Sequence, residues 1–404
     1  MISNNPRNVA IKHSVNNTNI ETSTDVKKNK KPRIHKGEFD ITFFILILVL
    51  MVMGLVMMFS ASYYWGLTKN NDGFYYAKKQ IIISVFGIVA MLVISKINYK
   101  ILSNKKIALP LFIGSFLMLI YTTFLGIEHG GARRWLKIGI EFQPSEIMKF
   151  SIVVLFAYLI ANNYNKMKKF KYGVLPFFII LIMVAVVMLL QPHLSGTLLI
   201  CSIGIIMIFI GGAKISHLLA VGATGLLGIG GIVAALIFTG EADYFLRRFQ
   251  SWLEPFSDTS GATWQTCQSL IAIGSGGLFG MGFGESRQKF LYLSESQNDF
   301  VFAIVCEELG LIGALLVIML FIIFVFRGFY IASKAPDKFG MMLAAGLTIQ
   351  IGIQALLNIA VVSNSIPNTG ISLPFFSYGG TALAMQLAQM GVILNISRYS
   401  IIED

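Results

Sequence analysis

Ten long apolar runs, separated by mostly short loops, constrain this chain more than any other feature of its sequence. Each run is long enough to cross a hydrocarbon core, which takes about 20 helical residues. Because backbone exposed to lipid must satisfy its own hydrogen bonds, such runs fold as helices. The sequence therefore predicts an all-α polytopic membrane protein, a bundle of ten transmembrane helices. The runs lie near 41–61, 80–97, 107–126, 145–162, 173–190, 195–212, 216–239, 299–326, 340–362 and 371–396.

Composition supports the membrane class and argues against others. Of the 404 residues, 55% are hydrophobic and 13% are charged, whereas a soluble domain carries about a quarter charged residues. The net charge of +12 does not indicate a nucleic-acid partner, because the Lys and Arg residues lie mostly in the tail and the loops between apolar runs. The three cysteines and five histidines show neither disulfide nor metal-ligand spacing, so no metal site is predicted.

The distribution of Lys and Arg predicts the orientation in the membrane. Alternate loops, together with the N-terminal tail, carry about twice as many of these residues as the other loops, which is the bias of cytoplasmic segments. With ten spans, both termini are then cytoplasmic. Residues 1–40 are predicted to be a disordered basic tail, because they are polar and offer almost nothing to bury. Residues 41–398 form the transmembrane domain, and 399–404 form a short cytoplasmic C-terminus.

Residues 240–298, between the seventh and eighth spans, are predicted to form one large extracytoplasmic loop. Loops of this length without secondary structure are uncommon unless they are functional. The stretch 264–283 is mildly apolar and rich in glycine. We expect short amphipathic or re-entrant helices there, joined by glycine turns and packed onto the bundle.

Asp299 is the first candidate for chemistry. It stands where the eighth span begins, and Lys289 and Glu295 lie close before it. An acid at this depth is expensive to keep, which makes it a functional-site hypothesis. The alternative is a helix N-cap, a position that Asp favours, and the two roles are compatible. We expect Asp299 to be catalytic at the mouth of an extracytoplasmic cavity, with Lys289 and Glu295 as substrate contacts.

A second cluster lies in 130–149. Arg133 and Arg134 suit contact with a pyrophosphate, since a guanidinium binds planar anions in a bidentate way. Glu146 and Lys149 are three residues apart and share a helix face. Two opposite charges inside a span indicate a polar interior, so both are candidates for substrate contact. The alternative is a structural ion pair that closes the bundle.

Two further clusters add candidates. Arg247 and Arg248 follow aromatic residues, as in an interfacial helix with its cations at headgroup level. Plain snorkelling of these arginines is the alternative. In 366–383, two prolines and three glycines interrupt the last span, and Ser377 brings in a hydroxyl. A broken helix that lines a cavity fits this pattern, and so does a kinked helix.

Glu307 and Glu308 lie about two turns inside the eighth span. Uncompensated carboxylates are not expected at such a depth. We therefore expect both to face the interior of the bundle, with Lys149 as a partner.

The four clusters resemble motifs of the SEDS family (shape, elongation, division and sporulation), the FtsW/RodA proteins. Several long motifs in the same order are far more specific than any one of them. The resemblance runs from about residue 40 to residue 398. The matching stretches are GARRWLKIGIEFQPSEIMK, RRFQSWLEPFSD, QSLIAIGSGGLFGMGFGESRQKFLYLSESQNDFVFAIVCEELG, PNTGISLPFFSYGG and GVILNISR.

This resemblance implies a peptidoglycan glycosyltransferase that polymerises lipid II at the outer face of the bacterial cytoplasmic membrane. The family's key acid falls on Asp299, the general base, and undecaprenyl pyrophosphate leaves. The implied partners are a class B penicillin-binding protein and other membrane proteins of the division complex. Ser372 favours the FtsW and sporulation-type branch over RodA, and hence septal wall synthesis. No cofactor is assigned, and a divalent cation, Mg²⁺ or Mn²⁺, stays open as compensation for the pyrophosphate.

The chain departs from the family pattern in several places, at Thr369, at Thr381 in SYGGTA, and in the turn before the sixth span. The usual QPDLG turn reads QPHLSG, so His193 stands where an acid is usual. Two functions of other classes stay open, a lipid II flippase and a non-catalytic scaffold of the division complex. A carrier is expected to place charges near the membrane midplane and to show repeated halves. Here the charges cluster at one end and no repeat is evident.

Overall fold

The computed structural model of the protein describes residues 37–129, 132–223, 225, 249–258, 261, 263–290 and 292–399. The chain forms a helical bundle, and the expected all-α polytopic class is confirmed. The tail 1–36, residues 400–404 and most of the seventh expected span lie outside the described residues. The helices are α1 (Ile41–Asn70), α2 (Tyr75–Ile94), α3 (Lys105–Leu125), α4 (Pro144–Asn163), α5 (Phe170–Gly173), α6 (Leu175–Leu190), α7 (Leu194–Ile210), α8 (Trp264–Ser275), α9 (Val301–Ser333), α10 (Lys338–Val362) and α11 (Gly380–Ser397).

Seven described helices are long and apolar enough to cross a membrane. They are α1, α2, α3, α4 with the turn that follows it, α5 joined to α6, α9 and α10. The sixth expected span corresponds to α7, a shorter apolar helix of 17 residues. The last expected span corresponds to α11, which has 18 residues.

The distribution of polarity is inverted relative to a soluble protein. Large apolar side chains face outward along the helices, as Phe86 on α2 does with 70% of its surface exposed. Amide side chains lie between the helices, and Gln350 and Asn358 on α10 are fully buried. In a bilayer the lipid solvates the apolar surface, and buried polar side chains bond across helices.

A three-stranded antiparallel sheet, which the sequence analysis does not predict, covers one end of the bundle. It consists of β1 (Ile127–His129), β2 (Ala132–Ile138) and β3 (Ile140–Phe142), in the order β1-β2-β3. The strands are short and carry Arg, Lys and Glu, so they give little hydrophobic signal. Gly139 makes the turn between β2 and β3 at a φ of +75°, where glycine has no steric penalty. We call this the strand end of the bundle.

The first and last helices meet at the opposite end, which we call the terminal end. The Asp40 carboxylate caps α1 by accepting from the Phe43 amide at 2.8 Å, and it pairs with Arg327 of α9 at 2.7 Å. The Asp40 amide donates to the Ser397 hydroxyl at 3.0 Å. Both described chain ends therefore lie on the same side of the bundle, as an even number of spans requires.

The glycine turn 276–282, which follows α8, packs against a break in α9. Gly310 has φ 65° and ψ −165°, so α9 is interrupted there. Amides of the turn donate to the carbonyls of Glu307 and Glu308 at 2.9 and 3.1 Å. Gly280 has a φ of +80°, and a Cβ on it would lie 2.1 Å from the Glu308 carbonyl oxygen. The expected short helix and glycine turns packed on the bundle are thus observed.

The last expected span, 371–396, is partly wrong, because α11 begins only at Gly380. Residues 363–379 are non-helical, and Phe375 has a φ of +65°. This segment packs tightly, since a Cβ on Gly54 of α1 would lie 2.3 Å from the Phe375 carbonyl oxygen. The Ser377 hydroxyl accepts from the Leu373 amide at 2.7 Å. A broken helix, rather than a kinked one, is what the prolines and glycines produce.

Candidate active site

An open cavity of about 1020 Å³ lies at the strand end. Its walls come from α2, the β2–β3 hairpin, the first turns of α4 and α7, α10, the start of α11, and the non-helical segments 298–299, 370–372 and 378–379. Four cationic and three acidic side chains therefore face one space. They are Lys79, Arg134, Lys137, Lys149, Glu141, Glu146 and Asp299.

Asp299 lines this cavity and is half-buried. The N-cap interpretation is wrong, because α9 begins at Val301 and its N-cap is Phe300, which makes no side-chain cap bond. The Asp299 carboxylate lies close to Gly370, where a Cβ would be 3.1 Å from Oδ2. Gly370 has a φ of +69°, so glycine suits this position both for its conformation and for the space that it leaves to the carboxylate.

The backbone around Asp299 is fastened to the broken segment before α11. The Ser377 hydroxyl donates to the Asn298 carbonyl at 2.6 Å, and the Tyr378 amide donates to the Gln297 carbonyl at 2.8 Å. Asn358 of α10 donates to the Asp299 carbonyl at 2.7 Å. Three bonds to three successive carbonyls hold this turn, which limits the freedom of the acid.

Glu146 and Lys149 form a buried ion pair in the wall of the cavity. Pro144 stands at the first position of α4, where its missing amide hydrogen costs nothing. The Lys149 ammonium lies 2.8 Å from Glu146 Oε1, and the two residues are 4% and 8% exposed. Glu146 Oε2 has no hydrogen-bond partner. The i,i+3 spacing thus produces the ion pair that the sequence analysis left as an alternative, and places it in the cavity.

The two arginines of β2 point in different directions, as successive residues of a strand do. Arg134 lines the cavity and donates from Nε to the Gln191 carbonyl at 3.3 Å and from Nη2 to the Pro192 carbonyl. Arg133 does not line it; its guanidinium lies 3.6 Å from the Glu128 carboxylate in an exposed pair. Arg134 is therefore the arginine of this pair that can meet a ligand in the cavity.

His193 is buried in the cavity wall between α6 and α7. Its Nε2 lies 3.1 Å from the Gln143 amide nitrogen, and its Nδ1 lies 3.4 Å from the Ser195 hydroxyl. Burial, together with the nearby Arg134 and Lys149 cations, lowers the pKa of His193 to about 3. The ring is therefore neutral at physiological pH. It offers hydrogen-bonding groups in the cavity wall, whereas an acid at this position would add a negative charge.

Lys289 lies outside the cavity, in a buried network of its own. Its ammonium lies 3.0 Å from Glu308 Oε1 and 3.2 Å from the Ser60 hydroxyl. Glu307 accepts from the Ser286 hydroxyl and from the Arg287 amide, the latter at 2.9 Å. The two glutamates are buried as expected, but the expected partner is wrong, because Lys289 and not Lys149 neutralises Glu308.

The remaining candidates lie away from the cavity or outside the described residues. Glu295 is exposed, has a φ of +58° and accepts from the Asn298 amide. Ser377 is buried behind Asp299 and does not line the cavity. Arg247 and Arg248 lie outside the described residues.

Several residues of the site have no counterpart among the sequence candidates. Lys79 lines the cavity from α2. Gln354 lines it from α10, and Gln143 from the start of α4. The signal for Gln354 is an amide inside an apolar run, which predicts a partner across helices. The sequence does not say which partner.

A carboxylate and several cations in one cavity can accept a proton and stabilise an anion in the same reaction. Among the described residues, no group of three or more His, Cys, Asp or Glu side chains is arranged to hold a metal ion.

Residues 40–401 match the family model described as "Cell cycle protein", FTSW_RODA_SPOVE. The chain is 39% identical over 362 residues to "Stage V sporulation protein E" of Bacillus subtilis (strain 168), which covers 89% of this chain and 97% of the relative. It is 36% identical over 362 residues to "Probable peptidoglycan glycosyltransferase FtsW" of Geobacter sp. (strain M18), covering 89% and 96%.

Two solved structures share the fold. One comes from work entitled "Structural coordination of polymerization and crosslinking by a peptidoglycan synthase complex", with a TM-score of 0.70 and 25% identity, and covers 89% of this chain and 98% of that one. The other is the crystal structure of the rod shape determining protein RodA of Thermus thermophilus, with a TM-score of 0.64 and 23% identity over 90% and 98%. At that identity the second likeness concerns the fold alone.

Proposed function

The chain belongs to the FtsW/RodA/SpoVE family of membrane proteins, and from this premise we propose that it is a peptidoglycan glycosyltransferase that polymerises lipid II. The relatives named as probable peptidoglycan glycosyltransferases support this enzyme class. The observation that carries the proposal is the cavity at the strand end, in which the Asp299 carboxylate shares a space with Arg134 and Lys149.

The chemistry of this transfer explains why both kinds of group are present. The acceptor hydroxyl of one lipid II attacks the anomeric carbon of another, and a new C–O bond forms. The bond between that carbon and the pyrophosphate breaks, and undecaprenyl pyrophosphate leaves with the bonding electrons. Asp299 takes the proton of the acceptor hydroxyl as a general base. Cationic side chains of the cavity wall stabilise the negative charge of the departing pyrophosphate.

Arg134 and Lys149 are the cations best placed for the pyrophosphate. Carbonyls of the 191–192 turn already orient the Arg134 guanidinium, so little side-chain freedom is lost when it binds an anion. Lys149 is held between Glu146 and Gln354, at 2.8 and 3.2 Å. A fixed cation stabilises a leaving group better than a mobile one, because no reorganisation is needed during the reaction.

Lys79 adds a further cation to the wall of the cavity. It lies on α2 with Tyr75, and the apolar Ile83 and Phe86 follow it down the same helix toward the lipid-facing surface. Three other sequence candidates do not line the cavity: Arg133, Glu295 and Lys289. Their contact with the substrate stays a prediction. Arg247 and Arg248, which lie outside the described residues, also stay predictions. We assign Ser377 to the support of the Asp299 turn.

The orientation that we propose places the strand end outside the cell and both termini in the cytoplasm. The excess of Lys and Arg in alternate loops supports it. With this orientation the cavity opens where lipid II is available for polymerisation. A class B penicillin-binding protein is the proposed partner, supported by the shared fold with a chain of a peptidoglycan synthase complex. Septal wall synthesis, in division or sporulation, is the proposed process, supported by the named relatives.

Polymerisation of labelled lipid II by the purified protein with its cognate penicillin-binding protein tests this function. The partner carries an inactivated transpeptidase, and the partner alone is run as a control. We expect a ladder of glycan strands that muramidase digests. A flippase predicts the opposite pattern, with movement of labelled lipid II across liposome membranes and no polymer. Movement without polymer, from folded protein, would overturn the proposal.

A further inference from the structure

Asn358 makes two short hydrogen bonds that link Asp299 to a distant part of the chain. Its Nδ2 donates to the Asp299 carbonyl at 2.7 Å and to the Ile371 carbonyl at 2.6 Å. The residue is fully buried in α10 and does not line the cavity. Its Oδ1 has no hydrogen-bond partner. An unpaired acceptor in a buried position costs free energy. Because Asn358 bears this cost while it makes both donor bonds, we infer that the two donor bonds are what the residue contributes.

Gln354, one turn before Asn358 on the same face of α10, makes the corresponding link for the cationic wall. Its Oε1 accepts from Lys149 at 3.2 Å, and its Nε2 donates to the Ser372 carbonyl at 3.0 Å. Ser372 directly follows Ile371, which Asn358 holds. One helix therefore connects the acid and the buried cation to adjacent residues of one segment.

The same segment limits the carboxylate from its other side. Gly370 leaves a gap that the Asp299 carboxylate approaches, since a Cβ there would lie 3.1 Å from Oδ2. Ile371 directly follows Gly370. The hydrogen bond from Asn358 to the Ile371 carbonyl therefore also fixes the position of Gly370. Asn358 thus ties the Asp299 backbone to the element that borders the Asp299 side chain.

We propose that Asn358 is a positioning residue for Asp299: it fixes the acid relative to the 370–372 segment and so sets where the carboxylate lies in the cavity. The inference rests on the proposed function, because position matters only if Asp299 takes a proton from a bound acceptor. A misplacement of about 1 Å at a reacting group costs a rate factor on the order of 100. Asn358 donates to two backbone carbonyls and not to the side chains proposed to bind the substrate. We therefore expect its loss to change the affinity for the substrate little.

A purely structural role for this amide is the competing explanation, and the chain offers a matched control for it. Asn395 of α11 is also fully buried. It donates to the Ser95 carbonyl at 2.7 Å and accepts from the Tyr99 amide at 2.9 Å, at the terminal end far from the cavity. Replacing either asparagine by Ala removes two buried hydrogen bonds, but only Asn358 touches the Asp299 turn.

The test measures kcat and KM for lipid II polymerisation by wild type, Asn358→Ala and Asn395→Ala in complex with the partner, with thermal unfolding of each complex. We expect Asn358→Ala to lower kcat about 10- to 100-fold with KM within about twofold of wild type. Asn395→Ala is expected to lower the unfolding temperature to a similar extent and to keep kcat. Wild-type kcat in Asn358→Ala, or equal losses of kcat in both variants, would overturn the inference.

Gly370→Ala tests the same positioning from the side chain and covers the case in which Asn358→Ala does not fold. The added Cβ crowds Asp299 Oδ2 and also strains the backbone at residue 370, which has a φ of +69°, while the Asn358 side chain stays intact. We expect kcat to fall with little change in KM; unchanged kcat would count against the inference. A folded wild-type complex that makes no polymer would refute the proposed function itself, and the inference with it. Polymer from wild type with full activity in Asn358→Ala would refute the inference alone.

Discussion

Replacing Lys149 by Met removes the cation from a carboxylate that is buried in the wall of the cavity. Glu146 is 8% exposed, and its Oε1 lies 2.8 Å from the Lys149 ammonium. Its second oxygen, Oε2, has no hydrogen-bond partner to share the charge. Met fills most of the volume of the lost side chain, so the perturbation is mainly electrostatic.

The expected cost follows from this geometry. Breaking a buried ion pair by removing one partner costs about 3–5 kcal/mol, because an uncompensated charge stays buried. Replacing both partners by residues of similar size is often close to neutral. We therefore expect Lys149→Met alone to be strongly destabilised, and the double variant Glu146→Gln with Lys149→Met to regain most of the free energy of unfolding.

Reversible unfolding in mixed micelles measures this double-mutant cycle, and polymerisation assays of the same variants measure activity. The exposed pair of Asp72 and Lys78, also separated by 2.8 Å, is the matched control, and its cycle is expected to show little coupling because solvent screens it. The double variant at 146 and 149 is expected to stay inactive although it is stable. Additive destabilisation would refute the buried pair, and an active double variant would refute the role of Lys149 with the pyrophosphate.

Other residues of the site give further expectations. Arg134→Gln is expected to raise KM for lipid II in initial-rate assays more than Arg133→Gln does; equal effects would contradict the orientation of β2. Burial lowers the pKa of His193 to about 3 from 6.5, so its contribution to stability is complete above pH 6.5 and is lost as the pH falls towards 3. His193→Asn should therefore show a smaller fall in unfolding temperature between about pH 7 and pH 4.5 than wild type; equal falls would contradict this. Gly280→Ala is expected to cost about 1–3 kcal/mol of unfolding free energy because of its positive φ and the nearby Glu308 carbonyl. Gly274→Ala, with nothing within 4 Å of the added Cβ, is its control and is expected to cost nothing.

Local patterns in the sequence predict the helices and part of the site. Apolar runs of sufficient length specify membrane helices because lipid leaves the backbone no other partner. The three-residue spacing of Glu146 and Lys149 predicts that they can pair, and the position of Asp299 at the start of a span predicts an acid at the mouth of a cavity. These inferences succeed because each depends on residues close together in the chain.

What the sequence does not predict depends on contacts between distant segments. The hairpin that carries Arg134 over the 191–192 turn has only short, charged strands. The burial of Glu307 and Glu308 in α9 predicts a neutralising cation. That Lys289 and not Lys149 pairs with Glu308 depends on how the segment after the glycine turn packs on α9. The amide of Asn358 gives no local sign that one of its donor bonds reaches a carbonyl 59 residues away and the other a carbonyl 13 residues away.

The rate of lipid II polymerisation by Asp299→Asn is the most direct test of the account. Asn keeps the shape of the side chain and removes the base, so turnover is expected to fall by a factor of about 100 or more, with folding and partner binding intact. Glu285→Gln, which neutralises an exposed carboxylate of the neighbouring segment outside the cavity, is the control and should keep wild-type turnover. Wild-type turnover in Asp299→Asn would contradict the account, because the cavity would then work without its proposed base.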